Sequence, residues 1–326
     1  MRIQITSTGK AQNITELVPN VKWSGDYRNA ARELSFSVLS SPTDKGIPTV
    51  DCPLGANVQL TEGGNLLFDG YIFNRSRNIE QSSIAITCFD RGIHLKKNKI
   101  SRKVSGELPE AVTAALAREF GLTVGQIAAT GIPVTRNFFG VSIYDAVMTM
   151  YTLASRQTGK RYYAGFRGGR LSVTEGEPNA ETLVIRGQSN LIGLSTTESI
   201  EDMVNDVGIY DANDRLVEVK EDAQSVRLYG RMQEYLKQSG QDNRLSEAST
   251  LLEENGVKQE LRVDSLGDTR CVAGNCVTVE EPFTRTKGLF FIEKDIHEWK
   301  RGQYYNNLTL NFKRLMDEKE AGSEVG

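Results

Sequence analysis

The chain has 326 residues, of which 39% are hydrophobic and 25% charged, with a formal net charge of −3. No run of eighteen apolar residues occurs and Met1–Thr6 lacks the apolar stretch of a signal peptide, so we expect neither a transmembrane nor a secreted protein. The net charge is +3 over residues 1–100, +2 over 101–200 and −8 over 201–326, and such an acidic last third argues against sequence-specific DNA binding.

Residues 1–98 alternate apolar and polar side chains, a period that predicts β-strands. Leu34, Phe36 and Val38 illustrate the alternation, and Glu62–Asn65 with its two glycines predicts a hairpin turn. Gly70, inside an apolar run, predicts a bulge or a barrel corner. These short strands predict a small antiparallel barrel or sandwich as the first domain.

Residues 99–194 change to helical spacing. A first helix is predicted to end at Gly121, and a second to begin at its cap Ser142 and to end at Gly159. The Gly168-Gly169 pair then predicts a hairpin between two strands. This segment is predicted to be a small α+β domain.

Residues 195–315 return to strand patterns, with predicted strands at 204–210, 216–219 and 225–230 and from 260 onward. One inserted helix is predicted over about 245–254, ended by Asn255-Gly256. The segment is predicted to be a second β-barrel domain. Residues 316–326, rich in Glu, Lys and Gly, are predicted to form a flexible tail.

One pattern occurs twice, about 220 residues apart. Gly55–Leu60 and Gly274–Val279 each place a glycine turn before an alternating strand, and each is followed by a strand (66–73; 289–299) and a closing strand (84–88; 308–312). The repeat predicts two similar β-domains in one chain. A chain of this kind can build a ring of six similar units from three subunits.

The sequence contains no recognisable catalytic motif: no nucleophile elbow, P-loop, Rossmann glycine motif, HExxH or EF-hand loop. The glycine-rich segment 165–169 is interpreted as a hairpin turn. Carboxylates cluster in two places, which we interpret as solvated faces: Glu198, Glu201 and Asp202, and Glu293, Asp295 and Glu298. His297 could act as a base beside Asp295, although a position at the rim is favoured, and His94 has no evident partner.

A metal site could in principle use all four cysteines, Cys52, Cys88, Cys271 and Cys276, but their spacing fits no common zinc motif. Small buried hydrophobic residues in a reduced protein are the better interpretation. The basic, aromatic stretches 160–163 and 300–305 resemble platforms for single-stranded nucleic acid, but tyrosines at the end of a barrel explain them better. We therefore predict no catalytic, cofactor-binding or metal-binding residues, and no cofactor.

The order of these parts resembles the XkdQ-type tail proteins of PBSX-like prophages. The segments that carry the resemblance, which extends to about residue 315, are Ser142–Asp145, Thr158–Lys160, Ser199–Asn205, Ser225–Gly230, the helix near Ala248, Gly267-Asp268, Gly274 to Val277 and the hairpin His297–Phe312. The order and spacing of these segments are more specific than any one of them.

The resemblance implies an α+β, mainly β fold with two tail-tube-like antiparallel barrels flanking the helical domain. It also implies a non-enzymatic baseplate hub of a contractile phage tail or a phage-tail-like bacteriocin, made in the bacterial cytoplasm. Such hubs are trimers that join the hexameric tail tube to the trimeric central spike and surround the channel for DNA, which passes without specific binding. The other partners implied are the tape measure protein and further baseplate proteins, including those with LysM domains; no membrane is involved.

Two other functions remain open, a prophage cell-wall hydrolase and a β-barrel adhesin. The short loops are unfavourable for an adhesin. The charge distribution adds a hypothesis, that carboxylates of residues 201–326 line the channel and keep DNA from adhering.

Overall fold

The computed structural model describes residues 1–40, 46–47, 49–78, 82–175, 183–237 and 244–324. The protein is mainly β with an α+β part, which confirms the predicted fold class. It divides into two compact units, residues 1–194 with 262–326 (unit 1) and residues 195–261 (unit 2). No helix in the described ranges is long and apolar enough to cross a membrane.

Thirteen strands of the described chain form one sheet. They are β1 (Arg2–Ser7), β2 (Lys10–Asn13), β3 (Asn20–Asp26), β4 (Glu33–Leu39), β5 (Asn57–Glu62), β6 (Asn65–Asn78), β7 (Ser83–Asp90), β13 (Leu183–Arg186), β14 (Leu191–Ser199), β18 (Lys258–Leu266), β19 (Cys276–Glu281), β20 (Thr286–Lys300) and β21 (Gln303–Asn311). Their order is β14-β18-β21-β20-β3-β4-β7-β6-β5-β1-β2, with β19 paired to β20 and β13 to β19. β14 and β18 cross the boundary between the units.

Two six-stranded modules with the same strand order make up most of this sheet. The first module has the order β3-β4-β7-β6-β5-β1, and the second has β14-β18-β21-β20-β19-β13. When the six strands of each module are ranked by their order along the chain, strands of equal rank occupy equal positions in the sheet. They differ at one edge, since β1 is antiparallel to β5 whereas β13 is parallel to β19. The shared order supports the duplication predicted from sequence, while closure of either module into a barrel is not seen among the described residues.

The repeated glycines make equivalent main-chain hydrogen bonds in the two modules. The Gly55 amide donates to the carbonyl of Ile72 (2.8 Å), and the Gly274 amide donates to the carbonyl of Ile292 (3.0 Å). Both glycines have a left-handed backbone, with φ of 81° and 88°. That conformation favours glycine because it has no Cβ, which explains why the pattern is visible in the sequence.

A bulge follows at the same place in both modules. The register between β6 and β7 shifts at Phe73, and the register between β20 and β21 shifts at Glu293. Residues beyond the bulges therefore correspond one to one, from Asn74 with Lys294 onward. The closing strands correspond with a shift of two residues from the sequence alignment, since Leu308 is equivalent to Ile86 and not to Ile84.

Gly70 is not itself a bulge, contrary to one of its two sequence interpretations. It keeps regular register with both neighbouring strands, and the bulges lie at Leu67 and Phe73. A Cβ at Gly70 would come within 2.3 Å of the Phe89 carbonyl oxygen, so glycine is needed here because two backbones approach closely.

The α+β part of unit 1 contains α1 (Gly92–Lys97), β8 (Lys99–Glu107), α2 (Pro109–Glu119), β9 (Val124–Ile127), β10 (Val134–Ser142), α3 (Ile143–Thr158), β11 (Tyr162–Arg167) and β12 (Arg170–Glu175). α3 lies in its core, with eleven of its sixteen residues buried. Ser142 caps α3 by accepting the Asp145 amide, Gly159 ends it with φ 70°, and β11 and β12 form the predicted hairpin. These predictions are confirmed.

Residues 316–324 do not form the flexible tail predicted from their composition. Met316 lies in the core around α3, and the Tyr144 hydroxyl donates to Asp317 at 2.8 Å. The amides of Lys319 and Ala321 donate to threonine hydroxyls of α3 at 3.1 and 3.0 Å. Composition missed this segment because only Met316 and Asp317 are buried, and the other anchors are main-chain amides and ion pairs from Glu318 and Glu320, which a charged composition does not distinguish from a solvated tail.

Unit 2 contains β15 (Asp206–Tyr210), β16 (Leu216–Glu221), α4 (Ala223–Tyr229), β17 (Gln233–Lys237) and α5 (Leu245–Glu254). β15 is the central strand, and α5 packs on it around Val207, Ile209 and Ala248. α5 confirms the predicted inserted helix. The predicted strand 225–230 is wrong, because Asp222 accepts the amides of Gln224 and Ser225 and so caps helix α4.

We expect the two turn glycines to differ in their tolerance of a side chain. Gly55→Ala should destabilise unit 1 by about 1–2 kcal/mol through backbone strain alone, because no atom lies within 4 Å of the added Cβ. Gly274→Ala should cost more, since its Cβ would lie 2.9 Å from the ring of Tyr163. Thermal or urea unfolding of both variants measures the difference, and equal losses would contradict this account.

Deleting residues 316–326 should destabilise the α+β part by about 2–4 kcal/mol, because it exposes the core below Met316 and removes the Asp317 hydrogen bond. Deletion of residues 325–326 alone is the control and should leave unfolding unchanged. Differential scanning calorimetry provides the comparison. An unchanged melting temperature for the longer deletion would show that the segment is not anchored.

Candidate assembly interface

The two modules meet where the second half of β20 pairs with β3. Residues 294–300 run antiparallel to residues 26–20, and we call this pair of segments the seam. The first half of β20 pairs instead with β19. This long strand of the second module is therefore also hydrogen-bonded to the first module, and the bulge at Glu293 separates its two halves.

Asp295 is the charged centre of the seam. It is fully buried, and Arg32, at the start of β4, forms a two-pronged ion pair with it through both terminal guanidinium nitrogens, Nη1 lying 3.0 Å from Oδ1. The Ala273 amide also donates to Oδ1, at 2.6 Å. Burial alone would raise the pKa of Asp295, but the nearby Arg32 and His297 hold it below its ordinary value. The carboxylate is therefore ionised and paired.

Gly25 provides the space for this ion pair. It faces Asp295 across the seam, and a Cβ at this position would lie 2.2 Å from Arg32 Nη1. The guanidinium group also lies over the ring of Trp23, 4.0 Å from its centroid. Asp295 supplies the counter-charge that a buried arginine needs and Trp23 supplies an aromatic face, although Arg32 Nε has no hydrogen-bond partner among the described residues.

His297 is fully buried, so the favoured prediction of a rim position is wrong. Nε2 lies 3.1 Å from Asp295 Oδ2, while Nδ1 lies 2.6 Å from the Tyr304 hydroxyl and 2.9 Å from the Asn306 side-chain amide. The rings of Trp23 on β3 and Tyr304 on β21 lie beside the imidazole, with centroids 4.6 and 6.0 Å away, and the alternation of a single strand could not reveal these neighbours. A substrate could not reach Asp295 or His297 unless the strands separated, so this pair serves cohesion better than proton transfer.

The other predicted carboxylates lie at the surface. Glu198 accepts a hydrogen bond from Gln259 (2.6 Å), and Asp202 pairs with Lys258 (2.8 Å). Glu201 is exposed. Glu293 and Glu298 form ion pairs with Arg28 (3.6 Å) and Lys22 (3.8 Å) respectively. His94 lies in α1 with its ring against the edge of Tyr71.

The two basic, aromatic stretches turn aromatic rings inward. Tyr162 is buried against Tyr151, and Tyr304 stacks on Trp299 with centroids 4.3 Å apart. Lys160 pairs with Glu175 at 3.0 Å. A base-stacking platform needs exposed rings, so these two tyrosines contribute to packing instead.

All four cysteines are buried free thiols. Cys52 and Cys271 each precede a repeated glycine by three residues, so they occupy equivalent sites in the two modules. Burial raises the pKa of Cys52 to about 11 and of Cys271 to about 12, which keeps both thiols protonated and unreactive. Among the described residues no group of three potential metal ligands converges.

Sequence reasoning missed Arg32 and Trp23, although both are central to the seam. Trp23 lies on β3, whose partner β20 comes from the far end of the chain, and Arg32, immediately before β4, pairs with Asp295, 263 residues away. The shared Cys-x-x-Gly spacing at 52–55 and 271–274 is a further signal of the duplication that could have been found.

The YqbQ-like family model matches residues 21–311, and the chain belongs to this family. YqbQ of Bacillus subtilis is 26% identical over 290 residues, covering 86% of this chain and 88% of that protein. The phage-like element PBSX protein XkdQ of the same organism is 22% identical over 308 residues, covering 92% and 94%. These matches confirm the resemblance seen in the sequence.

The fold is that of phage tail proteins of known structure. The 43 kDa tail protein of prophage MuSo2 from Shewanella oneidensis superposes with a TM-score of 0.72 at 10% identity, covering 95% of this chain and 98% of that one. The Escherichia coli c3393 protein, a type VI secretion component described as similar to the T4 tail proteins gp27 and gp5, has a TM-score of 0.53 at 11% identity, covering 95% and 76%.

Replacing Asp295 should destabilise the seam strongly. Asp295→Asn leaves Arg32 buried without a counter-charge, which should cost about 3–5 kcal/mol at neutral pH. Glu298→Gln on the same strand removes only the 3.8 Å surface pair with Lys22 and should cost less than about 1 kcal/mol. Urea unfolding of both variants provides the test.

The pH dependence gives an independent check. Because the folded-state pKa of Asp295 is lowered, its contribution is complete above the unfolded-state pKa of about 4 and is lost as the pH falls through the lower folded-state value. The stability gap between wild type and Asp295→Asn should therefore narrow below about pH 4. A gap that stays constant down to about pH 2 would contradict this assignment.

Proposed function

We propose that this chain is the structural baseplate hub of a contractile phage tail or a phage-tail-like bacteriocin. As a trimer, it joins the sixfold tail tube to the threefold central spike. The observation that carries the proposal is the presence of two modules with one strand order in a single chain. Three such chains present six similar modules to a tube of six subunits and three identical faces to a spike.

The comparisons support the same role. Relatives include a protein of the phage-like element PBSX, and the fold is shared with a phage tail protein and with a type VI secretion component. The partners we propose are two further copies of the chain, the tail tube, spike and tape measure proteins, and other baseplate proteins, including those with LysM domains. Each β-module is proposed to act as a tube-like domain around the DNA channel, with carboxylates of residues 201–326 contributing to its wall.

The role is proposed to be non-enzymatic, in a particle assembled in the host cytoplasm. The alternative is a cell-wall hydrolase, which would use paired carboxylates in an open cleft. The acid–base pair considered from the sequence, Asp295 with His297, is fully buried. The surface carboxylates at 198 and 202 pair with neighbouring polar side chains.

Imaging of purified tail particles tests the hub. We expect threefold density at the junction of tube and spike, with two β-modules per chain at matching radius around an open channel. Particles from cells lacking this gene should have no assembled baseplate, and supplying the gene on a plasmid should restore it. A sixfold copy number, or a position away from this junction, would contradict the proposal.

A turnover assay on purified peptidoglycan separates the hub from the hydrolase. The wild-type chain and a variant with alanine at Glu198, Glu201 and Asp202 should release equally little soluble material, with lysozyme as the positive control. Release by the wild type that the variant loses would favour the hydrolase.

A further inference from the structure

The first module has a strand edge whose counterpart in the second module is occupied. Beyond the bulge at Glu293, residues 294–300 of β20 pair with β3. The equivalent residues beyond Phe73, 74–78 of β6, pair with β7 on one side and with no other described strand on the opposite side. Residues 73–77 are exposed, and Phe73, at 42%, exposes a large apolar ring. Open edges of this kind are rarely left without a partner.

β14, the strand that would pair with this edge, has an edge without a partner among the described strands. β14 is the equivalent of β3, and it is the terminal strand in the sheet order, paired only with β18 within the described chain. In the first module β3 uses its second edge to pair with β20. The corresponding edge of β14 is therefore free to pair in the same way with another copy of the chain.

The described contact between Arg75 and the loop before the repeated glycine has a counterpart in the second module that accommodates a paired strand. Arg75 Nη1 donates to the Cys52 carbonyl at 2.9 Å, and the equivalent residue Asp295 accepts the Ala273 amide from the equivalent loop. In the second module this contact coexists with the paired β3 strand. A strand can therefore add beside Arg75 as β3 does beside Asp295.

The backbone register shows which residues of β18 in the second module correspond to those before and within β4 in the first. The Gly267 amide donates to the Tyr304 carbonyl at 2.8 Å, a register that sets Asp264 opposite Asn307, as Ser37 lies opposite Ala85. Counting back five residues along the strand from Asp264 and from Ser37 gives Gln259 and Arg32, which are therefore equivalent.

This equivalence extends to β14. Gln259 donates to Glu198, whereas Arg32 lies over Gly25, so Glu198 takes the place of Gly25. Gly25 faces Asp295 across the seam, and the equivalent of Asp295 is Arg75. Arg75 therefore stands where Asp295 is, and Glu198 stands where Gly25 is, so an acid and a base again come together.

We propose that residues 74–78 of one copy pair antiparallel with β14 of a second copy, placing Arg75 opposite Glu198 of that copy. Added main-chain hydrogen bonds supply the attachment, and the ion pair sets the register. The contact uses different surfaces on the two copies, so it is head-to-tail and generates a ring or a filament. Closure at three copies rests on the proposed function, whereas the pairing itself rests on the two modules.

Charge exchange tests the pair. Arg75→Glu and Glu198→Arg should each raise the dissociation constant for self-association by about tenfold or more, and the double variant should recover most of the loss. Arg118→Glu, at an exposed arginine of α2, is the control and should have no effect. Analytical ultracentrifugation of the full-length chain measures the association. If the double variant does not recover self-association while circular dichroism shows that it is folded, the proposed Arg75–Glu198 pair is wrong.

Disulfide trapping tests the edge itself. The same correspondence places Ser76 opposite Thr197 of the second copy, and both are exposed. The Ser76→Cys, Thr197→Cys double variant should cross-link into covalent oligomers under mild oxidation. An equal mixture of the two single variants should stop at dimers. A control double variant carries Thr196→Cys instead of Thr197→Cys, together with Ser76→Cys. It should cross-link at least about tenfold less, because neighbouring residues of a strand point to opposite faces.

The wild type, whose four cysteines are buried, sets the background. Trapping is performed on the purified chain and on tail particles. Absence of the cross-link in both preparations overturns the inference, as do disulfide-linked dimers of the Ser76→Cys single variant at comparable yield. The chain could form head-to-tail cross-links in solution and yet be missing from tail particles. That result would refute the proposed function but not the strand pairing.

Discussion

The seam between β20 and β3 is the interaction on which unit 1 depends. It joins two modules that are distant in sequence, and at its centre an arginine and an aspartate are both removed from water. Such a pair is stable only when every neighbouring group is placed to balance it, and here Gly25 makes room while Trp23, His297 and the Ala273 amide complete the surroundings. The ion pair thereby specifies one register for two long strands that alternation alone would leave free to slip.

The duplication shows how two modules can share a backbone and differ in chemistry. The glycine turn, the bulge after an isoleucine and the buried cysteine recur at equivalent places. The position after the bulge that holds Asp295 in one module holds Arg75 in the other. The shared glycine turn and bulge are set by backbone geometry, whereas Asp295, which differs from Arg75, lies where β3 pairs with β20.

The low identity to the tail protein of prophage MuSo2 shows how little of this fold depends on particular side chains. A TM-score of 0.72 at 10% identity means that the fold is retained while most side chains differ.

Local pattern in the sequence determined the strands that follow the repeated glycine in both modules, the caps of α3, helix α5 and the correspondence of Gly55 with Gly274, because each depends on neighbours within a few residues. It did not predict β13 or β14 of the second module. It did not determine helix α4, whose short apolar alternation suits a strand equally well until Asp222 caps it. Tertiary structure alone decided that His297 is buried, that residues 316–324 are anchored, and that Arg32 meets Asp295. The physical reason is that burial and ion pairing depend on which strands become neighbours, and a strand's own alternation is the same whether its edge is open or covered.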